Sequence, residues 1–86
     1  MILTELARRT PAIVDLVEER SPNDPIARRL GELGFVAGEE VVVVAAGPMG
    51  QEPLLVQVGF TRFALRRAEA ARVRLRPAHA GAGACG

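Results

Sequence analysis

The stretch from Asp24 to Gly38, DPIARRLGELGFVAG, carries its own signals for starting and stopping one short helix. Asp24 suits the N-cap position, because its carboxylate can accept hydrogen bonds from the free amide groups of the first turn. Pro25 fits the first helical position, where its missing N–H has no partner to lose. Gly34 can adopt the left-handed conformation that ends a helix. We therefore predict a helix that begins after Asp24 and stops at Gly34.

The apolar positions of this helix share one face. Ile26, Leu30 and Leu33 fall at i, i+4 and i+7, the spacing that places side chains on a single side of a helix. Phe35, just past the stop, can pack back on Leu30 as the hydrophobic contact of a Schellman motif. Gly31 lies inside the helix, where it costs about 1 kcal/mol relative to Ala. We expect this face to anchor the helix to a β-rich core.

Short apolar runs separated by turn residues indicate strands on both sides of the helix. The predicted strands are Ala12–Glu18, Glu40–Ala46, Leu54–Val58, Thr61–Arg66 and Arg72–Arg76, with helical turns within residues 2–9 and at Ala68–Ala71. The continuous run in Glu40–Ala46 indicates either burial on both faces or a strongly curved sheet. About five short strands at this spacing predict a mainly β fold, a small curled barrel with one inserted short α-helix.

Composition limits the chain to one domain. Of its 86 residues, 49% are hydrophobic and only three are aromatic, which is a globular composition. No apolar run reaches the roughly 18 residues of a membrane span, and the N-terminus lacks the basic start and apolar core of a signal peptide. We therefore expect a cytoplasmic protein without membrane insertion. The single Cys85 excludes an internal disulfide.

No residue pattern in the sequence is typical of catalysis. The chain contains no Lys, so it has no glycine-rich phosphate loop ending in Lys-Ser or Lys-Thr. Its sole Ser is Ser21, and its sole His and Cys are His79 and Cys85 near the C-terminus. The acidic pairs at 18–19 and 39–40 are interpreted as solvated charges at loop edges. We expect a protein that is not an enzyme and that requires no cofactor.

The C-terminal tail, residues 78–86, holds the two best transition-metal ligands. His79 and Cys85 suit iron or zinc, but their six-residue spacing among small residues matches no recognised metal site. The tail has no core-forming residue, so we expect it to be flexible. A bound metal would use His79 together with carboxylates of a neighbouring molecule. The sequence therefore leaves two interpretations of the tail open, namely a metal-binding segment and an unstructured one.

Arginines are concentrated towards the C-terminus, with six Arg and one acid after residue 52. On a strand, Arg72, Arg74 and Arg76 would share one face and form a basic strip. Such a strip suits an acidic protein surface, anionic lipid or plain solvation. The net charge of +1 and the lack of stacking aromatics argue against nucleic acid. With neither Trp nor Tyr, the chain also lacks the aromatic groove that binds proline-rich peptides.

Three blocks in this order resemble the ferrous iron transport protein A (FeoA) family, whose members are small SH3-like barrels. They are Arg28 to Gly38, then Ala46 to Gly50 followed by Glu52-Pro53, and then Gly59 to Ala70. The resemblance implies an SH3-like domain over residues 1–77 followed by the tail. It also implies an accessory protein of bacterial ferrous iron uptake that contacts the cytosolic GTPase region of the membrane transporter FeoB.

Four residues are candidates for contact with such a partner. Arg28 and Arg29 are predicted on the outer side of the helix, Met49 in a turn of Gly and Pro residues, and Arg66 near the basic strip. A flexible Met on an exposed turn suits an adaptable contact. Each of the four has a plainer interpretation as solvated surface. A homodimer formed through exposed strand edges also stays open.

Two other functions remain alternatives. Similar SH3-like domains occur fused to metal-dependent repressors, which favours a metal-responsive regulatory module, although no DNA-binding helix pair accompanies this domain. The other alternative is a soluble, non-catalytic protein that binds iron or zinc. The scarcity of His and Cys outside the tail argues against that role.

Overall fold

The computed structural model describes residues 1–50 and 52–78, and at Met49 the backbone only. A one-turn 3-10 helix at Leu3–Glu5 comes first, followed by β1 (Ala12–Val17), α1 (Pro25–Leu33), β2 (Glu40–Met49), β3 (Glu52–Val58), β4 (Thr61–Leu65), α2 (Arg67–Ala70) and β5 (Val73–Pro77). The strands form one antiparallel sheet in the order β4-β3-β2-β1-β5. The predicted mainly β fold with five strands and one short inserted helix is confirmed.

The β2–β3 connection differs most from the prediction, which ended the second strand at Ala46. β2 continues to Met49, which pairs with Glu52 at the start of β3. The register shifts between Ala46 and Met49, so an irregularity in the ladder carries β2 past the predicted turn residues. A Cβ at Gly47 would meet the carbonyl group of Glu52, so glycine is required where the two backbones approach.

All five strands contribute to one core, and this requires the sheet to curl. Burial alternates along β2. Val41 and Val43 are buried, whereas Val42 and Val44 are only partly buried. This alternation shows that β2 has one inner face, which favours the curved-sheet interpretation of its continuous apolar run. The other large core side chains are Leu3, Val14, Leu30, Phe35, Leu54, Val56, Val58, Leu65, Val73 and Leu75.

The helix α1 begins and ends at the predicted residues. The backbone N–H of Ile26 donates to Oδ1 of Asp24 at 3.0 Å, which is the N-cap hydrogen bond. Gly34 has φ of 116°, and the N–H of Phe35 donates to the carbonyl of Leu30 at 3.0 Å, as in a Schellman motif. Because Leu30 and Phe35 are both buried, the C-terminus of α1 is anchored in the core.

Asp24 also links α1 to the segment that precedes β5. Its Oδ2 accepts hydrogen bonds from the backbone N–H of Arg20 at 2.9 Å and from Nε of Arg72 at 2.8 Å. The side chain is buried, with a relative exposure of 3%. The hydrogen bond from Arg20 and then that from Arg72 lower the pKa of Asp24 from 3.8 to about 2, against the raising effect of burial. Asp24 is therefore ionised throughout the physiological pH range.

The helices in residues 1–50 and 52–78 are all too short to cross a membrane.

Candidate functional site

The predicted strip of arginines is not one open surface. β5 begins at Val73, so Arg72 precedes the strand instead of sharing its face, and its guanidinium contacts Asp24. Arg74 pairs with Glu18, with 2.8 Å between Nη2 and Oε2. The prediction that Arg72 shares the strip is therefore wrong, because its guanidinium is shielded against Asp24, whereas Arg74 is half exposed in a surface ion pair.

A groove lies between α1 and β4, and we call it the α1–β4 groove. It is lined by the apolar residues Ile26, Leu30, Leu33, Phe63, Ala64 and Leu65 and by the charged residues Arg29, Arg62 and Glu69. Its volume is about 250 Å³, below the roughly 300–1,000 Å³ typical of pockets for drug-sized ligands. The groove is therefore of a size for a few side chains of another protein.

The two sides of the groove are held together by an aromatic pair. The ring centroids of Phe35 and Phe63 lie 6.1 Å apart, and the ring planes are tilted by 53°. This separation falls in the favourable range for aromatic side chains. Phe35 is hydrogen bonded to the end of α1 through Leu30, and Phe63 belongs to β4. The helix and the strand therefore form a preorganised groove.

A tight turn determines which residues of β4 hydrogen bond to β3. Val58 pairs with Thr61 across a two-residue turn made of Gly59 and Phe60. Gly59 has φ of 60°, the conformation that a type II′ turn requires at its first central residue. In a hairpin of this kind the pair that flanks the turn is hydrogen bonded, and bonded and non-bonded pairs alternate beyond it. Phe60 is fully exposed at the tip of this turn.

This alternation of bonded and non-bonded pairs leaves one side of β4 without backbone partners within the described residues. Phe63, two residues after Thr61, directs its N–H and C=O towards β3, so Arg62 and Ala64 direct theirs away from the sheet. Within residues 1–50 and 52–78, these outward groups of Arg62 and Ala64 accept and donate no backbone hydrogen bond. We call this side of Arg62–Ala64 the free edge of β4.

Two of the four predicted partner residues lie at or near the groove. Arg29 lines it on the α1 side. Arg66 directly follows β4, and its backbone N–H donates to Oε1 of Glu69, a lining residue, at 2.8 Å. Arg28 is exposed on α1 but does not line the groove. Among the described residues, neither Arg29 nor Arg66 forms an ion pair with a carboxylate.

The other candidate side chains cannot be placed at this groove. The backbone of Met49 ends β2 opposite Glu52, and its side chain is not described. His79 and Cys85 lie outside the described residues. In the part of the chain that the structure describes, no three or more His, Cys, Asp or Glu side chains are grouped so that they could hold a metal ion.

The sequence did not single out Arg62 or Phe63 as residues of a common site. Nε of Arg62 donates to Oε1 of Gln57 at 3.0 Å, a contact across the β3–β4 hairpin. Phe63 pairs with Phe35, and this contact joins segments far apart in sequence. The two-residue turn at Gly59 was the one local signal that could have located the free edge.

Comparisons with known proteins place this geometry in a family. A family model described as the FeoA domain matches residues 1–77. Among curated proteins, no significant match was found.

Solved structures with the same fold agree with that family match. The FeoA of Stenotrophomonas maltophilia, crystallised with zinc, is 63% identical, with a TM-score of 0.82 over 88% of this chain and 89% of that one. That protein is described as a prokaryotic SH3 domain protein and a candidate ferrous iron transport activating factor. The FeoA protein of Chlorobium tepidum is 28% identical, with a TM-score of 0.78 over 91% of this chain and 70% of that one. The predicted SH3-like fold is confirmed.

Proposed function

Because this chain belongs to the FeoA family, we propose that it is a cytoplasmic accessory protein of bacterial ferrous iron uptake that contacts the cytosolic GTPase region of the transporter FeoB. It acts by protein–protein contact and not as an enzyme. The observation that carries this proposal is the α1–β4 groove, which combines an apolar floor with arginines that form no ion pair within the described residues.

The composition of the groove fits a protein partner. Interfaces are built around buried apolar and aromatic side chains, and Arg is enriched among the residues that dominate their affinity. Phe63 provides an aromatic floor and Arg29 stands at its rim, and Arg62, also a lining residue, directs its guanidinium to Gln57 on the outer face of the hairpin. A complementary partner surface carries apolar side chains flanked by carboxylates, because opposite charges across an interface speed association and select the partner.

Arg66, Arg28 and Met49 extend the proposed contact surface. Arg28 is exposed beside Arg29 on α1. Met49 pairs with Glu52, whose Oε2 accepts a hydrogen bond from the backbone N–H of Arg67 at 2.7 Å. Since Arg67 adjoins Arg66, the end of β2 lies near the start of α2. One partner surface would then reach from α1 across the end of β4 to the β2–β3 connection.

Binding to the purified cytosolic region of FeoB tests this proposal by calorimetry. We expect Arg29→Glu and Met49→Asp each to weaken binding at least about tenfold, a loss of about 1.4 kcal/mol. Arg8→Glu is the matched control, because Arg8 is exposed, carries the same charge and does not line the groove. Equal affinity of wild type, Arg29→Glu and Met49→Asp would contradict the assignment of these contacts.

Metal binding without catalysis is a second candidate, favoured by the zinc complex of the Stenotrophomonas maltophilia protein. We propose His79 and Cys85 as the ligands, with His79 joined by carboxylates of a neighbouring copy when iron or zinc binds. Such a bridge would make a homodimer depend on the metal. Calorimetric titration with zinc and with ferrous iron tests this, and binding that is unchanged in His79→Ala would contradict it.

A further inference from the structure

We propose that the free edge of β4 binds one extended, acidic segment of a partner protein, which adds to the sheet as a sixth strand. The identity of the partner rests on the function proposed above, whereas the mode of binding rests on the geometry alone. In this mode main-chain hydrogen bonds supply affinity, and pockets for alternate side chains supply specificity.

The first step is that β4 has an edge of the kind that another strand can pair with. Its register with β3 runs from Leu54↔Leu65 to Val58↔Thr61 without a shift, so the edge is regular. Unpaired N–H and C=O groups on a regular edge strand are a template for a further strand. Arg62 and Ala64 present such groups outward, as the alternation of bonded and non-bonded pairs requires.

The second step is that the opposite edge of the sheet is already occupied. Ile2 forms an antiparallel bridge with Arg74 of β5, and the N–H of Leu75 donates to the carbonyl of Met1 at 2.7 Å. The N-terminal residues therefore take the place of a neighbouring strand at β5. Of the two edge strands, β4 is the one left open within residues 1–50 and 52–78.

The third step is that the surroundings of this edge specify an alternating segment. Side chains of successive strand residues point to opposite faces of the sheet. On the inner face of β4, Phe63 and the apolar residues of α1 line the α1–β4 groove. On the outer face, Arg62 extends towards Gln57 of β3. A segment with apolar residues facing the groove and acidic residues facing outward therefore complements both faces.

The fourth step is that charge disfavours a second copy of this chain as the occupant. If two β4 strands paired antiparallel about Ala64, Arg62 of each copy would lie opposite Arg66 of the other. Like charges directly opposite each other destabilise a strand pair. Arg62 and Arg66 would instead attract carboxylates of an acidic segment, and this charge complementarity favours a segment of a different protein as the occupant.

A synthetic peptide tests the binding mode independently of the natural partner. The probe is a capped peptide of alternating valine and glutamate, added at millimolar concentration to the full chain labelled with ¹⁵N. We expect shifts of the Arg62 and Ala64 amide resonances and a slowing of their hydrogen exchange by at least about tenfold, as new hydrogen bonds protect them. The matched control replaces every glutamate of the peptide by lysine. No change at these two amides, or an equal response to the lysine peptide, would overturn the proposal.

A pair of variants tests the role of the backbone. Ala64→Pro removes the outward N–H without breaking a hydrogen bond to β3. Proline is tolerated on an edge strand where the N–H faces solvent. Ala64→Val keeps that N–H and serves as the control. We expect Ala64→Pro to weaken binding of the glutamate peptide and of the FeoB region at least about tenfold, and Ala64→Val to retain both. If Ala64→Pro does not fold, Arg62→Glu replaces it with the same expected loss.

The outcomes separate the binding mode from the proposed function. FeoB-region binding that is equal in wild type and folded Ala64→Pro would overturn strand addition and leave the proposed function standing. Peptide binding as described, without any binding of the FeoB region, would support strand addition and contradict the proposed function. Concentration-dependent dimerisation that Ala64→Pro abolishes would identify a second copy as the occupant and overturn the proposal.

Discussion

Nε of Arg72 lies 2.8 Å from Oδ2 of Asp24, although 48 residues separate the two in sequence. The contact joins the N-terminus of α1 to the residue that precedes β5. Both side chains are shielded from solvent, with exposed fractions of 13% for Arg72 and 3% for Asp24. This one carboxylate therefore caps the helix and also fixes the position of the helix relative to the last strand.

Stability should fall at acid pH through Asp24. Its pKa is about 2 in the folded chain and near 3.8 when unfolded, so its contribution is fully present above pH 3.8 and is lost as pH falls towards 2. Asp24→Asn should remove this acid sensitivity, and because it leaves the shielded guanidinium of Arg72 without its carboxylate, it should lower Tm at neutral pH by roughly 5–10 °C. Thermal unfolding between pH 2 and pH 7 checks both effects. Asp15→Asn, at an exposed carboxylate, is the control, and an identical loss there would count against the assignment.

Two glycines only three positions apart in sequence should respond in opposite ways to alanine. Gly31 has open space where a Cβ would be added and lies within α1, so Gly31→Ala should stabilise the chain by about 0.5–1 kcal/mol. Gly34 has φ of 116°, so Gly34→Ala should destabilise it by about 1–2 kcal/mol through backbone strain. Urea denaturation measures both changes. A Gly34→Ala variant as stable as wild type would show that the Schellman conformation is not required.

The approach of β2 to β3 should make Gly47 intolerant of any side chain. A Cβ there would meet the backbone carbonyl of Glu52, which cannot move aside as the end of a flexible side chain could. Gly47→Ala should therefore cost about 1–3 kcal/mol or shift the end of β2. Urea denaturation gives the energy, and amide chemical shifts of residues 45–54 locate the change. Unaltered stability and unaltered shifts would argue against the close approach.

The two phenylalanines of the β3–β4 hairpin should differ sharply in their effect on stability. Phe63 packs against Phe35, so Phe63→Ala should cost about 2–4 kcal/mol and open the α1–β4 groove. Phe60 is fully exposed, so Phe60→Ala should change stability by no more than about 0.5 kcal/mol. Chemical denaturation of the two variants provides the comparison. Equal losses would mean that the tip of the hairpin packs against other parts of the chain.

Local chemistry made α1 predictable, and long-range pairing accounts for what was missed. The cap at Asp24 and the stop at Gly34 depend on neighbours within a few residues, so sequence spacing was sufficient to place them. The position of the Arg72 side chain depends on its hydrogen bond to Asp24, which lies 48 residues away. The alternation of residues in the C-terminal strand contains no information about that contact. The end of β2 was likewise set by pairing with β3 across an irregularity near Gly47.

The candidate site was predictable only in part. Arg29 could be assigned to the outer side of a helix from the positions of Ile26 and Leu30. The groove beside it exists because β4 is at the edge of the sheet, and strand order does not follow from strand count. That Arg62 faces outward follows from the turn at Gly59, which shows how one glycine determines which backbone groups meet solvent.

The open side of β4 should make self-association of this protein depend on ionic strength. Arg62 and Arg66 repel like charges of a second β4 strand only within about one Debye length. This screening length is about 10 Å in 0.1 M salt and about 3 Å in 1 M salt. We therefore expect concentrated salt to weaken the charge barrier to edge-to-edge association while leaving the pairing groups of β4 intact. A partner strand lying on β4 would protect this edge in crowded, salty surroundings.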